Sequence, residues 1–544
     1  MDNLAIQLTK TVSAAFEQAG YDASYGAVMA SNRPDLCDFQ CNGALAAAKV
    51  YKKSPLSIAQ EVAQLIPGAE AVAPGFINIR AENSMIAARL NAMLEDERLL
   101  LPKTDTPRKI VMDYGGPNVA KALHIGHLRS AIIGDALYRI VRFLGHNAIS
   151  DVHLGDWGQP MGLVIASLLE RGIKVSDLSP DELNEVYPVA SKRSKEDAEF
   201  LAESQRITKE LQQGNPEYYA IWQELHAVSV ADVKKNYDSL NLLDFDYWYG
   251  ESDAQKYVEA VLERLEEKGL LTEEGGAKIV HVKREDDKEP IPPLIVLKNG
   301  TEMYCTTDLA TIYQRERDFN PDEAWYFTDA RQNLYFKQIF RCAGMSGISG
   351  MRFSHTGFGT VNGSDGKPYK TRSGGVMRLA DMIDEVRGKL PDPMIACAAI
   401  RIADLQNRPI KDYIFDLDKF TAKEGKTGPY LQYTAVRIAS VLAKAELVNC
   451  AIGAPAVPSE RALMLALDSA GDSITKAFEE KAPNAICDAL FDISAKFNTF
   501  YGECRILSEP NDVQRGSWLA LLKLTRRMLE ILLYLLGVEI PEAM

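Results

Sequence analysis

Residues 111–135 read VMDYGGPNVAKALHIGHLRSAIIGD, and no other stretch of the chain limits its possible folds as sharply. An apolar start at Ile110, Val111 and Met112 gives way to Gly, Pro and Asn, then to His124-Ile125-Gly126-His127, then to an amphipathic pattern from about Leu128. This is a strand–loop–helix unit. Its loop brings backbone N–H groups and two imidazoles to a helix N-terminus, a position that favours polyphosphate. Gly126 has no side chain, so a base or phosphate can come close to the backbone. His124 and His127 can donate to phosphate oxygens as charge builds there during attack at phosphorus. Lys121, three residues upstream, can reach the same anion as a point charge. Two histidines at a helix start also serve as caps or metal ligands, so the surrounding sequence decides.

From Lys109 onward, short β-branched runs alternate with long helical patterns, which implies βαβ units and a parallel sheet. The strands are expected at Lys109–Met112, Ala148–His153, Ile279–Val282, Leu294–Leu297, Ala324–Tyr326 and Arg352–Gly357. The expected architecture is an α/β Rossmann-type catalytic domain over 106–392, with a helical insertion at about 160–275. A small α+β domain precedes it at 1–105, and an all-α bundle follows at 393–544. The first domain opens on a helix with Leu4, Leu8, Val12 and Phe16 on one side. The bundle comprises amphipathic helices at 394–406, 428–446, 460–479, 484–503 and 515–537.

A chain of 544 residues is too long for one core. It holds no run of eighteen apolar residues, so no membrane span is expected, and the N-terminus has no basic leader with a cleavage site. A cytoplasmic enzyme is the simplest expectation. The net charge of −14 argues against indiscriminate binding to DNA or other polyanions, but leaves room for a folded RNA on a locally positive face. The eight cysteines are scattered, and Cys37-x3-Cys41 has no second pair at zinc spacing. Four of the seven histidines fall between 124 and 153 without Glu or Cys at ligand spacing, so no structural metal is expected.

With its flanks, Asp113–Gly134 resembles the signature region of class I aminoacyl-tRNA synthetases, and most closely that of arginyl-tRNA synthetases. Four further segments agree in order: His153–Gly158 (HLGDWG), Tyr304–Ala310 (YCTTDLA), Asp329–Gln332 (DARQ) and Gly428–Tyr433 (GPYLQY). The resemblance extends from Asp38–Gly43 and Gly75–Ile79 to the last helix, and so covers nearly the whole chain. It implies activation of L-arginine by ATP with Mg²⁺, then transfer to the terminal adenosine of tRNA(Arg). It also suggests that activation requires bound tRNA. A monomer is the default.

The site residues that follow are expectations of this resemblance. An arginine side chain is a planar cation with five donors, and its pocket wants acidic groups in bidentate geometry. Asp113 and Asp308 would face the guanidinium, Tyr304 and Gln332 would complete its hydrogen bonding, and Asn118 would hold the α-amino or carboxylate end. Where this sequence has Asp113 the family often has Glu, which keeps the charge but shortens the reach. Asp308 has an alternative role as the N-cap of a helix at 309–317. His153 and Asp156 follow a strand at the sheet's carboxyl edge and are candidates for contacts to ATP, with a turn held by Asp156 as the alternative. The region of the family's lysine-rich phosphate loop reads GKPYKTRSGG from Gly366, so Lys367, Lys370 and Arg372 are candidates to clamp pyrophosphate. For tRNA, Tyr430, Gln432, Tyr433 and Arg437 could meet unstacked anticodon bases. Phe39, Gln40 and Asn42 could reach another part of the molecule. Two other readings stand beside this one. The first is a superfamily ligase with a different substrate, and the second a non-catalytic tRNA-binding paralogue.

Overall fold

The helix expected at the N-terminus forms at Leu4–Gln18, with Leu4, Leu8, Val12 and Phe16 buried, and the Asn3 side chain caps it by accepting from the Ile6 N–H at 2.9 Å. The computed structural model describes residues 2–544 apart from 299–300, 364, 368, 370–376, 446–449 and the side chain of Thr301. The first helix packs with Gly43–Tyr51 and Pro55–Ala63 around a four-stranded antiparallel sheet. The order is Val28–Ala30, Phe39–Cys41, Phe76–Ile79, Ala69–Val72.

A second sheet is wholly parallel, in the order Arg352–Phe358, Glu323–Asp329, Lys109–Asp113, Asn147–Asp151. Alternate residues of the inner strand Glu323–Asp329 enter different cores. Trp325 and Phe327 join one, Ala324 and Tyr326 the other, as period-two geometry requires in a sheet covered on both faces.

Two expected strands of this sheet lie elsewhere. Ala277–Val280 and Leu294–Lys298 belong to a separate antiparallel sheet with Leu271–Glu274 and Thr301–Glu302. Gly275 and Gly276 explain the difference. Both have positive φ, +55° and +79°, and close a two-residue hairpin that leaves no room for the crossover a parallel pair needs.

Between the second and third parallel strands along the chain lies the insertion, with helices Gln159–Arg171, Pro180–Arg193, Ala198–Gln212 and Pro216–Ser239 around an apolar core of its own. The C-terminal part is helical as expected: Pro393–Leu405, Gly428–Lys444, Pro458–Glu480, Asn484–Glu503 and Asp512–Leu535.

Buried ion pairs lock these parts together. On the signature helix Ile125–Phe143, Arg129 donates to Asp404 at 2.9 Å and to the backbone oxygens of Gly359 and Lys411. Asp135, on the same helix, accepts from Arg139 and from Arg401 of the bundle. Arg401 also donates to the Leu536 carbonyl at 2.6 Å. Arg461 meets Asp38 with two hydrogen bonds, and Arg89 meets Asp468, so the first domain is fixed to helix Pro458–Glu480.

Candidate active site

The signature loop ends where helix Ile125–Phe143 begins, and His124 is its N-cap. The His124 Nδ1 accepts from the Gly126 N–H at 3.0 Å, and the His127 Nδ1 accepts from the His124 N–H at 3.0 Å. A ring nitrogen that accepts carries no proton, so each imidazole carries its proton on Nε2. Burial holds both rings below the usual histidine range, and in His127 burial and the neighbouring His124 bring it to about 3. At neutral pH both rings are therefore uncharged Nε2–H donors. They lie face to face, 3.9 Å between centroids and 31° apart, which fixes their aim. Gly126 permits this, because a Cβ there would stand 2.7 Å from His124 Cε1.

The two rings border a cavity of about 910 Å³ at the carboxyl end of the parallel sheet. Its other lining residues include Asp113, Asn118, Gly126, His153, Glu251, Tyr304, Asp308, Arg315, Gln332 and Tyr335. Helix Tyr304–Phe319 starts at Tyr304 with Met303 as N-cap, so Asp308 lies in the second turn and is not the cap. Tyr304 and Asp308 share a face, as the spacing of four implies. Asp308 accepts a hydrogen bond from the Tyr335 hydroxyl and stands 3.8 Å from His153 Nε2. Burial works against charge on His153, but Asp308 and Asp113 outweigh it and raise the imidazole to about 9. His153 has a φ of +41°, a conformation rare for a side chain this large. Glu251 shares this wall, and burial pushes its carboxyl up to about 7.

Asp113 lines the cavity, but its charge is already engaged by the chain's own Arg315. That guanidinium donates to Asp113 at 2.8 Å and to Asp151 at 2.6 Å, and is almost wholly buried. Asp113, expected to face a substrate guanidinium, therefore keeps its place in the cavity lining with Oδ2 bound to Arg315, beside Asp308 and Glu251.

Asp156 differs from expectation. It is fully buried, accepts from the Ser252 N–H at 3.0 Å and the Ser252 hydroxyl at 2.6 Å, and does not line the cavity. It holds a turn, the alternative its sequence allowed. Lys121 stands outside the lining, its ammonium over the Tyr187 ring. Lys367 is exposed. Lys370 and Arg372 lie outside the described residues.

The expected tRNA contacts divide. Phe39 is buried in its sheet, and Gln432 is buried with its amide donating to the carbonyls of Met394 and Glu539. Both are structural, because their strand and helix faces turn inward. Gln40 is half-buried and pairs with Asn78, while Asn42 caps helix Gly43–Tyr51 without a side-chain bond. Tyr433 is exposed, and Arg437 stacks on it at 4.6 Å and on Tyr501 at 5.7 Å. Tyr430 accepts from Asn498.

Glu251, Arg315, Tyr335 and Tyr501 were not read from the sequence. Arg315 had one readable signal, since it follows Tyr304 and Asp308 by multiples near the helical repeat. Glu251 had none nearby, because its place comes from backbone pairing of Gly250 with Leu154 across almost a hundred residues.

Comparison with known proteins finds family models along most of the chain. A family model described as tRNA synthetases class I (R), catalytic domain, matches residues 89–417. Models of the arginyl tRNA synthetase N terminal domain and the DALR anticodon binding domain match 3–81 and 431–544. The chain is 45% identical over 588 aligned positions to an arginine–tRNA ligase of Alkaliphilus oremlandii, and 44% over 598 to one of Agathobacter rectalis, with 100% of each chain covered. Two solved structures share the fold. Arginyl-tRNA synthetase from Plasmodium falciparum superposes with a TM-score of 0.82 at 23% identity, covering 100% of both chains. The Thermus thermophilus enzyme gives 0.77 at 22%, covering 99% of this chain and 100% of that one.

Proposed function

The chain belongs to the arginyl-tRNA synthetases of class I, ligases that use ATP to join L-arginine to tRNA, and from that premise we propose how its residues divide the work. The arginine carboxylate attacks the α-phosphate of ATP, a reaction that depends on positioning and on neutralising charge. His124 and His127 donate from Nε2 to the phosphate oxygens, and the backbone at Gly126 lets the nucleotide approach. The guanidinium enters the wall formed by Asp308 and Glu251, with Tyr304 and Gln332 completing its hydrogen bonds and Tyr335 orienting Asp308. Asn118 takes the α-amino or carboxylate end. Asp113 holds Arg315 and His153 in place beneath them.

Lys367, Lys370 and Arg372 clamp the leaving diphosphate, and Lys121 shares that task. Mg²⁺ bound with ATP would supply further neutralisation of the phosphate charge. Tyr433, Arg437 and Tyr501 form a stacking surface for unstacked anticodon bases. Tyr430 borders it, and Gln40 and Asn42 lie on the first domain's tRNA-facing side. A single copy working in the cytoplasm completes the reading.

One observation carries it: two uncharged imidazole donors and an acidic wall border the same cavity. The test is ATP–diphosphate exchange with arginine, citrulline, canavanine and lysine, with and without tRNA. Citrulline has nearly arginine's shape but no charge and should fail. Asp308→Asn should raise the KM for arginine by about 10- to 100-fold, the worth of a charge-assisted bond, and leave the KM for ATP within about threefold. Equal exchange with citrulline, or equal losses for both substrates, would contradict the acidic-wall assignment.

A further inference from the structure

The loop that carries the imidazoles is seated in the insertion. Val119 and Ala120 are buried members of the insertion's apolar core, together with Met161, Val164 and Trp222. The Ala120 N–H donates to the Ser229 hydroxyl, on helix Pro216–Ser239, at 3.0 Å. Ala120 has a left-handed φ of +57°, which an alanine keeps only where its surroundings impose it. The next residue is Lys121. Its ammonium rests 3.9 Å from the centroid of the Tyr187 ring and stays out of the cavity lining, although its charge is felt at His127 and Glu251.

Tyr187 lies on helix Pro180–Arg193, which contains Pro188. Proline has no N–H to donate to the carbonyl four residues back, so the helix is weakest there. Both halves pack into the insertion's apolar core, through Leu183 and Val186 before the proline and Ala190 after it, but their polar attachments differ. In the first half, Asp181 accepts from Arg378 at 2.7 Å, and Arg378 pairs through its backbone with His124. Tyr187 belongs to this half as well. In the second half, Arg193 is bonded to Glu170 and Asp197 within the insertion. The half before Pro188 thus meets the catalytic loop at Lys121 and, through Arg378, at His124.

We propose that this half-helix restrains the catalytic loop: Tyr187 is a positioning residue that withholds Lys121 from the nucleotide, and movement at Pro188 on tRNA binding releases it. The inference rests on the phosphate role assigned to Lys121, and the test separates the two. ATP–diphosphate exchange is measured with and without tRNA. Tyr187→Leu keeps the bulk and loses the π-face. It should raise exchange without tRNA by about threefold or more, the strength of a partly exposed cation–π contact, and lower the KM for ATP but not for arginine. Tyr187→Phe restores the ring and should return the wild-type dependence on tRNA. In a Lys121→Ala background, Tyr187→Leu should change nothing. The proposal is overturned if Tyr187→Leu lowers exchange equally with and without tRNA, or if its gain persists without Lys121. Lys121→Ala with no effect on tRNA-supported exchange would instead remove the phosphate role of that lysine. Should Tyr187→Leu not fold, Pro188→Ala is the second probe: it stiffens the hinge and should deepen the dependence on tRNA, and an unchanged ratio would sink the idea.

Discussion

Glu251 and Asp308 share a wall but differ in what pH does to it. Burial raises the Glu251 carboxyl to about 7, so below that pH it is mostly protonated and cannot pair with a cation. A guanidinium favours the ionised form, and its binding should expel a proton. The affinity for arginine should therefore rise about tenfold per unit from pH 5.5 to 6.5 and level off above pH 7. His153, at about 9, stays charged throughout that window. Calorimetry in two buffers of different ionisation enthalpy measures both the slope and the proton, and Glu251→Gln should abolish the slope. At this scale the sequence announced the residues that sit in ordered motifs, the twin histidines and Asp308 among them. It could not announce Glu251, whose position depends on a distant backbone pairing, nor that Arg315 would occupy Asp113.

Elements were more legible than residues, because amphipathic spacing and capping chemistry act locally. The signature helix begins one residue after His124, and the five bundle helices fall within a few residues of their sequence limits. The membership of strands in sheets was less readable. Ala277–Val280 has the β-branched composition of a parallel strand, yet the glycine hairpin before it dictates an antiparallel partner. Gly126 offers a test of what the helix start is for. Alanine favours a helix over glycine by up to about 1 kcal/mol, so Gly126→Ala should not reduce stability on propensity grounds. Its Cβ would push the His124 ring out of line, however. Thermal unfolding within a few degrees of wild type, with exchange lowered by about tenfold or more, is the expected outcome. Intact activity would mean that the ring's aim is unimportant.

The parts of the whole molecule are joined by charges that desolvation makes costly to separate. Arg129 and Asp404 are both buried, and they connect the signature helix to the first bundle helix over 275 positions of sequence. Asp404→Ala would leave the guanidinium unpaired and should destabilise the protein by about 3–5 kcal/mol, read from urea unfolding followed by circular dichroism. A loss below about 1 kcal/mol would show that the Gly359 and Lys411 carbonyls suffice. Sequence reading recovered the order of the parts from shifts in periodicity, but not how they interlock, since neither partner of such a pair marks the other. Arg401 carries this furthest. It joins Asp135 of the signature helix to the carbonyl of Leu536, just past the last bundle helix. On the ribosome, synthesis runs from the first residue to the last, so the signature helix must wait for this buried linkage until helix Asp512–Leu535 has also been made.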